Sequence, residues 1–107
     1  MTRKITLTYP TGIVLQAIAR GYRYGFDIMD ASGLPDGTVY PALRRLESAG
    51  CLSSEWEDKQ VAATEQRPPR RYYQLTPAGE DALARARQRF PGLEMVVPNL
   101  EPRANGA

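Results

Sequence analysis

Histidine is absent from this 107-residue chain, and cysteine occurs once, at Cys51. Without histidine the chain lacks the commonest general base and the commonest zinc ligand. A lone cysteine can form neither an internal disulfide nor a thiolate metal site, so we expect Cys51 to be a small buried side chain. The sequence also lacks a glycine-rich phosphate loop and a carboxylate pair at catalytic spacing. We therefore predict a protein that is not an enzyme and that uses no metal or other cofactor.

Long apolar runs are missing as well. No run approaches the roughly 18 residues of a membrane span, and no signal-peptide segment follows the basic start, so we expect a cytoplasmic protein without membrane contact. The formal net charge is only +2, which by itself does not indicate a nucleic-acid partner. Evidence for a polyanionic partner must therefore come from where the arginines lie.

Residues 36–50 have the pattern of an amphipathic helix. At about 100° per residue, three apolar side chains fall in one narrow sector, which predicts a buried face: Val39, Leu43 and Leu46. Asp36 is predicted to be the N-cap and Gly50 the C-cap residue. Pro41 is expected near the helix start, where a missing amide costs little.

The opposite side of this helix carries small residues first and arginines one turn later. Thr38, Pro41, Arg45 and Ser48 lie on it, with Tyr40 and Arg44 on its flank. Small residues allow close approach to a groove, and arginine pairs with guanine edges or phosphates. The arginines, Thr38 and Tyr40 also have interpretations that need no DNA. The arginines could be solvated or paired with Glu47 or Asp58, Thr38 could be a second cap, and Tyr40 could close the core edge.

The remaining chain predicts a helix on each side of this stretch and two strands after it. Helices are expected over about 10–20 and 24–32, the second burying Phe26, Ile28 and Met29. Residues 51–56 and 70–75 alternate with a period near two and predict strands around a polar loop. A last helix runs from the Thr76 cap to Phe90.

This order predicts a mainly α fold with a small β-hairpin, the α-α-α-β-β-α winged helix-turn-helix. Residues 1–8 are expected to form an N-terminal arm and 9–90 the domain, including a C-terminal dimerisation helix. Residues 91–107 are expected to be an extension with a largely disordered tail. The apolar stripes of the first and last helices predict the dimer contact.

The wing, residues 57–70, ends in a basic cluster. Arg67, Arg70 and Arg71 lie in a stretch from 66 to 71 that has no acid. An ordinary loop is one interpretation, but contact with phosphates or with a narrow minor groove fits better. Trp56 is expected to pack at the wing base, with an effector pocket as the alternative. Of Tyr72 and Tyr73, one is expected in the core.

Three motifs resemble the PadR-like transcriptional regulators: Tyr24-Gly25-Phe26-Asp27-Ile28, Gly37-Thr-Val-Tyr-Pro-Ala-Leu-Arg-Arg-Leu-Glu47 and Arg71-Tyr-Tyr-Gln-Leu-Thr-Pro-Ala-Gly79. The resemblance implies dimeric regulators, usually repressors, that bind inverted-repeat operators. It implies that helix 37–49 enters the major groove and that the wing lies beside the minor groove. Phe26 stands where the family commonly has tyrosine, so a phosphate contact from that hydroxyl is absent. The family's long C-terminal dimerisation domain is missing too.

We therefore predict a sequence-specific DNA-binding transcriptional regulator, a homodimeric repressor whose partner is double-stranded DNA. The residues predicted to contact DNA are Tyr24, Gly37, Thr38, Tyr40, Pro41, Arg44, Arg45, Arg67, Arg70 and Arg71. The low net charge leaves open an alternative, a winged-helix protein–protein interaction module that uses the same helix face. A small-molecule effector is left undetermined.

Overall fold

Helices account for most of the structure, a computed structural model that describes residues 5–98. Within that range the elements are α1 (Tyr9–Ala19), α2 (Gly25–Ser32), α3 (Asp36–Ser48), β1 (Leu52–Trp56), α4 (Lys59–Thr64), β2 (Arg71–Leu75), α5 (Pro77–Arg89) and α6 (Leu93–Val96). The two strands form one antiparallel sheet. The order confirms the predicted winged helix-turn-helix. It adds a short helix inside the wing, where a polar loop was expected, and another after α5.

The centre of the fold is α1. Thr8 caps it by accepting a hydrogen bond from the Thr11 amide at 3.3 Å, and Pro10 lies in the first turn, where its missing amide costs nothing. Every residue from 11 to 18 is buried. The helix contacts α2, α3, α5, α6 and β2, so neighbours surround it on all sides.

This burial corrects the predicted dimer contact. The apolar stripe of α1 is covered within the monomer, and α5 turns its own stripe into the same core through Ala82, Leu83 and Ala86. Apart from Ala78 and Phe90 in α5, which are half-buried, neither stripe is left exposed for a second copy.

In α3, the predicted buried face is confirmed: Val39, Leu43 and Leu46 are all fully buried. Two predictions for the first half of this helix were wrong. Pro35 is the N-cap and Asp36 the first helical residue, without a side-chain capping bond. Pro41 is the sixth residue of the helix rather than part of its first turn, so the Gly37 carbonyl lacks its usual amide partner.

The end of α3 follows from its glycine. Ala49 is the C-cap, not Gly50 as predicted. Gly50 comes one residue later with φ of 80°, a left-handed conformation that glycine adopts without strain. Gly79 allows the first turn of α5 to lie close to the backbone of Cys51, because a Cβ at this position would collide with the Cys51 carbonyl oxygen. Cys51 is buried as expected, and burial raises the pKa of its thiol.

The hairpin runs outward from the core. Its register pairs Leu52 with Leu75 at the inner end and Trp56 with Arg71 at the outer end. Leu52 is buried, whereas Trp56 is 63% exposed, so Trp56 does not pack at the wing base as predicted. Tyr73 is the buried member of the tyrosine pair, and its amide donates to the Arg23 carbonyl at 2.7 Å. That bond ties the hairpin to the segment before α2.

Both ends of the described chain contribute to the core. Ile5 and Leu7 pack against it, so this part of the predicted arm is not loose, while Arg3 and Lys4 lie outside the described residues. Leu93 and Val97 are buried, which extends the domain past residue 90. The predicted disordered tail, from residue 99 onward, lies outside the described range. No helix between residues 5 and 98 has the length and hydrophobicity to cross a membrane.

Candidate nucleic-acid interface

Three segments far apart in sequence meet on one side of the molecule: the start of α2, the exposed face of α3 and the end of the wing. They border a cleft of about 540 Å³ whose walls are mainly aromatic rings and arginines: Tyr24, Phe26, Tyr40, Trp56, Arg70 and Arg71. Arg67 borders the same cleft, so five of the residues predicted to contact DNA are neighbours. Phe26 and Trp56 were not predicted here.

Tyr40 connects α2 to α3. Its ring lies so close to Gly25 that a Cβ at that position would collide with it, which explains why glycine opens α2. The ring is still 41% exposed. Tyr40 thus closes the edge of the core and also presents its outer side to the cleft.

Arg44 and Arg45 are exposed and, within residues 5–98, make no hydrogen bond or ion pair with protein groups. The two acids suggested as their partners are engaged elsewhere: Glu47 contacts Arg71, and Asp58 caps α4 by accepting from the Gln60 amide at 2.7 Å. Both arginines border a second cleft, of about 740 Å³, between α3 and the chain before α1. Their charges therefore face open space.

Arg67 has a different environment. Its Nη1 and Nη2 donate to the two carboxylate oxygens of Glu57 at 2.6 and 2.9 Å, a bidentate pair. The Glu57 side chain is only 9% exposed and that of Arg67 is 21% exposed. These hydrogen bonds lower the pKa of Glu57 to about 2 and raise the pKa of Arg67. The charge of Arg67 is therefore neutralised within the wing by an acid from outside the stretch 66–71.

Arg70 is held by an aromatic chain. Its guanidinium lies 4.2 Å from the centroid of the Tyr24 ring, a cation–π contact. The Tyr24 and Tyr72 rings make a T-shaped contact, with 5.6 Å between their centroids. The Tyr72 hydroxyl donates to Glu57 at 3.3 Å. Burial raises the pKa of Asp27 in α2, as does Asp30, while Arg70 acts in the opposite direction.

Arg71 is tied to α3. Its Nε donates to the Ser54 hydroxyl at 2.8 Å, and its Nη2 lies 3.4 Å from both carboxylate oxygens of Glu47. The guanidinium also lies 5.4 Å from the Trp56 ring centroid. With 40% of its side chain exposed, Arg71 can reach a ligand only while sharing its charge with Glu47.

The ten predicted residues thus fall into three groups. Gly37, Thr38 and Pro41 lie at the N-terminal end of α3, Arg44 and Arg45 follow on the same helix, and the cleft residues with Arg67 join α2 to the wing. Sequence analysis missed Phe26, 68% exposed, because helical periodicity assigned it to the core. It missed Trp56 although four residues of strand place that ring about 13 Å beyond Leu52. Glu57 was missed because the acid is ten residues before its arginine.

The profile of the Transcriptional regulator PadR-like family matches residues 14–85. A PadR family transcription regulator from Clostridium difficile R20291 shares 26% identity, covering 83% of this chain and 94% of its own, with a TM-score of 0.67. A PadR-like transcription factor from Bacteroides fragilis shares 29% identity over 79% of this chain and 82% of its own, with a TM-score of 0.63. No curated protein matches the chain.

Proposed function

Because the chain belongs to the PadR-like family of transcriptional regulators, which bind DNA and are not enzymes, we propose that it is a homodimeric repressor acting on an inverted-repeat operator. The observation that supports this most is the pair of exposed arginines on α3. Arg44 and Arg45 have no protein partner within residues 5–98 and project from a helix whose other face is buried. A polyanion supplies the missing partner.

We assign base reading to α3. Gly37 and Thr38 present little bulk at its N-terminal end, so the backbone can approach the floor of a major groove. The Thr38 amide already donates to the Pro35 carbonyl at 3.0 Å, which leaves its hydroxyl for a phosphate. Arg45 then reads a base edge and Arg44 holds a phosphate or a second base.

The wing holds the backbone through Arg70 and Arg71, whose guanidinium groups border the aromatic cleft. Tyr24 contributes because the Arg70 guanidinium stacks on its ring. Arg67 is removed from the contact set, because its guanidinium is already paired with Glu57. A half-site therefore meets two free arginines on α3 and two partly shared arginines on the wing.

For the dimer we propose a surface at the ends of α1 and α5, which shares only Phe90 with the predicted stripes. Tyr9 and Phe90 meet at 5.4 Å between ring centroids, and Met95 and Val96 on α6 are 88% and 38% exposed. This apolar surface, Tyr9, Phe90, Met95 and Val96, covers the ends of α1 and α5, away from the cleft. Sedimentation should give a dimer at micromolar concentration, and Met95→Lys should shift it toward monomer. A monomer that bound an inverted repeat unchanged would exclude this assembly.

DNA binding is tested by fluorescence anisotropy on a labelled duplex from the region upstream of the gene, across a salt series. If about 6–10 phosphates are neutralised, affinity should fall about 10³–10⁵-fold between 50 and 200 mM salt. A duplex with scrambled half-sites is the control and should bind more weakly at every salt concentration. A flat series with no preference between duplexes would support the interaction-module alternative, since a protein partner has no condensed counterions to release.

A further inference from the structure

The wing places an acid at the centre of its basic limb. Glu57 accepts hydrogen bonds from three residues of the opposite limb: from the Arg67 guanidinium, from the Arg70 amide at 3.2 Å and from the Tyr72 hydroxyl at 3.3 Å. Its own amide donates to the Arg70 carbonyl at 2.8 Å. A carboxylate facing DNA would repel it, yet this one is almost fully enclosed by groups that neutralise it.

The limb that Glu57 holds has little other support. Gln66 is left-handed with φ of 57°, and Pro68 and Pro69 have no amide to donate. Ala62 is the one buried residue between 57 and 70. Backbone bonds from the Arg67 amide to the Ala62 carbonyl and from the Glu57 amide to the Arg70 carbonyl also hold this segment. Among its side-chain bonds, those of Glu57 reach across the hairpin.

These bonds also set where Arg70 lies. Glu57 holds the Arg70 backbone directly and holds Tyr72, whose ring meets Tyr24. Tyr24 is the residue over which the Arg70 guanidinium stacks. One carboxylate thus connects both walls of the cleft.

We propose that Glu57 is a positioning residue for DNA binding, which fixes the limb carrying Arg70 against α2 in the arrangement that meets the phosphate backbone. The proposal rests on the proposed function as a DNA-binding repressor. In it, Arg67 braces the wing and makes no phosphate contact.

Positioning and simple electrostatics predict opposite signs for one substitution. Glu57→Gln removes a negative charge close to DNA and frees the Arg67 guanidinium, so charge alone predicts tighter binding. If Glu57 positions the limb, the same change leaves two arginines to be ordered on binding, and that ordering costs affinity. The sign of the change therefore separates the two roles.

The matched control is Glu55→Gln. Glu55 lies on β1 two residues before Glu57, on the same face of the strand, and it is exposed without a hydrogen bond or ion pair within residues 5–98. The two variants remove the same charge at nearly the same place. Only Glu57→Gln weakens the contacts across the hairpin, because glutamine replaces one of the two acceptor oxygens by an amide donor.

On the labelled operator duplex at fixed salt, Glu57→Gln should bind about five- to tenfold more weakly than the wild type. Glu55→Gln should bind equally or slightly more tightly. Binding by Glu57→Gln that matches or exceeds that of Glu55→Gln would overturn the proposal.

A DNA-free measurement keeps this separate from the proposed function. In the free protein, Glu57→Gln should speed hydrogen exchange at the amides of Arg67 and Arg70, and Glu55→Gln should not. Failure of the wild type to bind any duplex would count against the proposed function and against a role of Glu57 in DNA binding. Faster exchange in Glu57→Gln would in that case still show that Glu57 holds the opposite limb of the wing. Unchanged exchange in Glu57→Gln would overturn the brace itself, whatever the affinity.

Discussion

Helix α3 and the wing both carry arginines, but they use them differently. Arg44 and Arg45 on α3 have no partner within the described chain, whereas Arg67 and Arg71 on the wing are paired with Glu57 and Glu47. The helix is held by its apolar face, so its polar face is left free. The wing has no apolar core of its own, so its polar groups hold its shape.

The difference shows that a count of basic residues does not measure the charge available to a ligand. Residues 66–71 contain three arginines, yet one is neutralised and one is shared. Residues 36–50 contain two arginines and two acids, and both arginines are free. The stretch with the lower local charge therefore offers the larger unpaired charge to DNA.

The largest expected effect tests how each region is held. Leu46→Ala in α3 removes a fully buried side chain and should lower the free energy of unfolding by about 2–5 kcal/mol. Val61→Ala in the wing shortens a side chain that is 49% exposed and should change it by less than about 0.5 kcal/mol. Urea unfolding followed by circular dichroism measures both. Equal losses would show that the wing is held by apolar burial after all.

The next effect tests which arginines read sequence. Arg45→Ala should cost about 1–3 kcal/mol on the operator and relax the preference at particular base pairs. Arg67→Ala should leave the base preference unchanged and should not reduce the salt slope, because Arg67 neutralises Glu57 instead of a phosphate. Fluorescence anisotropy on a set of duplexes with single base-pair substitutions, across a salt series, distinguishes the effects of the two variants. A shallower salt slope in Arg67→Ala would return that residue to the contact set.

The smallest effect concerns pH. The pKa of Glu57 is about 2 in the folded wing, compared with an ordinary value of 4.5. The folded wing therefore stabilises the ionised carboxylate of Glu57. Its stabilising contribution is complete above pH 4.5 and is lost as the pH falls from 4.5 toward 2. Fluorescence of Trp56, which is exposed beside Arg71 at the outer end of the hairpin, should therefore stay constant from pH 7 to 5.

Below pH 4.5 the signal should change in the wild type. Glu57→Gln is the control, since it has no carboxyl group at that position to titrate. A transition between pH 7 and 5 in the wild type, absent from Glu57→Gln, would contradict the depressed pKa.

Much of the fold was predictable because local rules decided it. The 3.6-residue period of Val39, Leu43 and Leu46 located the buried side of α3, and Thr8 and Thr76 capped their helices as such residues do. Where prediction failed locally, a three-dimensional requirement overrode the pattern. Phe26 has helical spacing for burial, yet the first turn of α2 lies beside the cleft instead of over the core.

The sequence by itself determined the order of the first three helices, the two strands and α5. It also determined the inner face of α3 and the position of two arginines on its outer face, since each depends on neighbours within a few residues. Tertiary structure alone decided that α1 is buried on every side, that Trp56 stands clear of the core, and which wing arginines are neutralised. The pairs concerned, Glu57 with Arg67 and Glu47 with Arg71, are 10 and 24 residues apart. Such charges meet only after the hairpin has folded, so no local pattern records them.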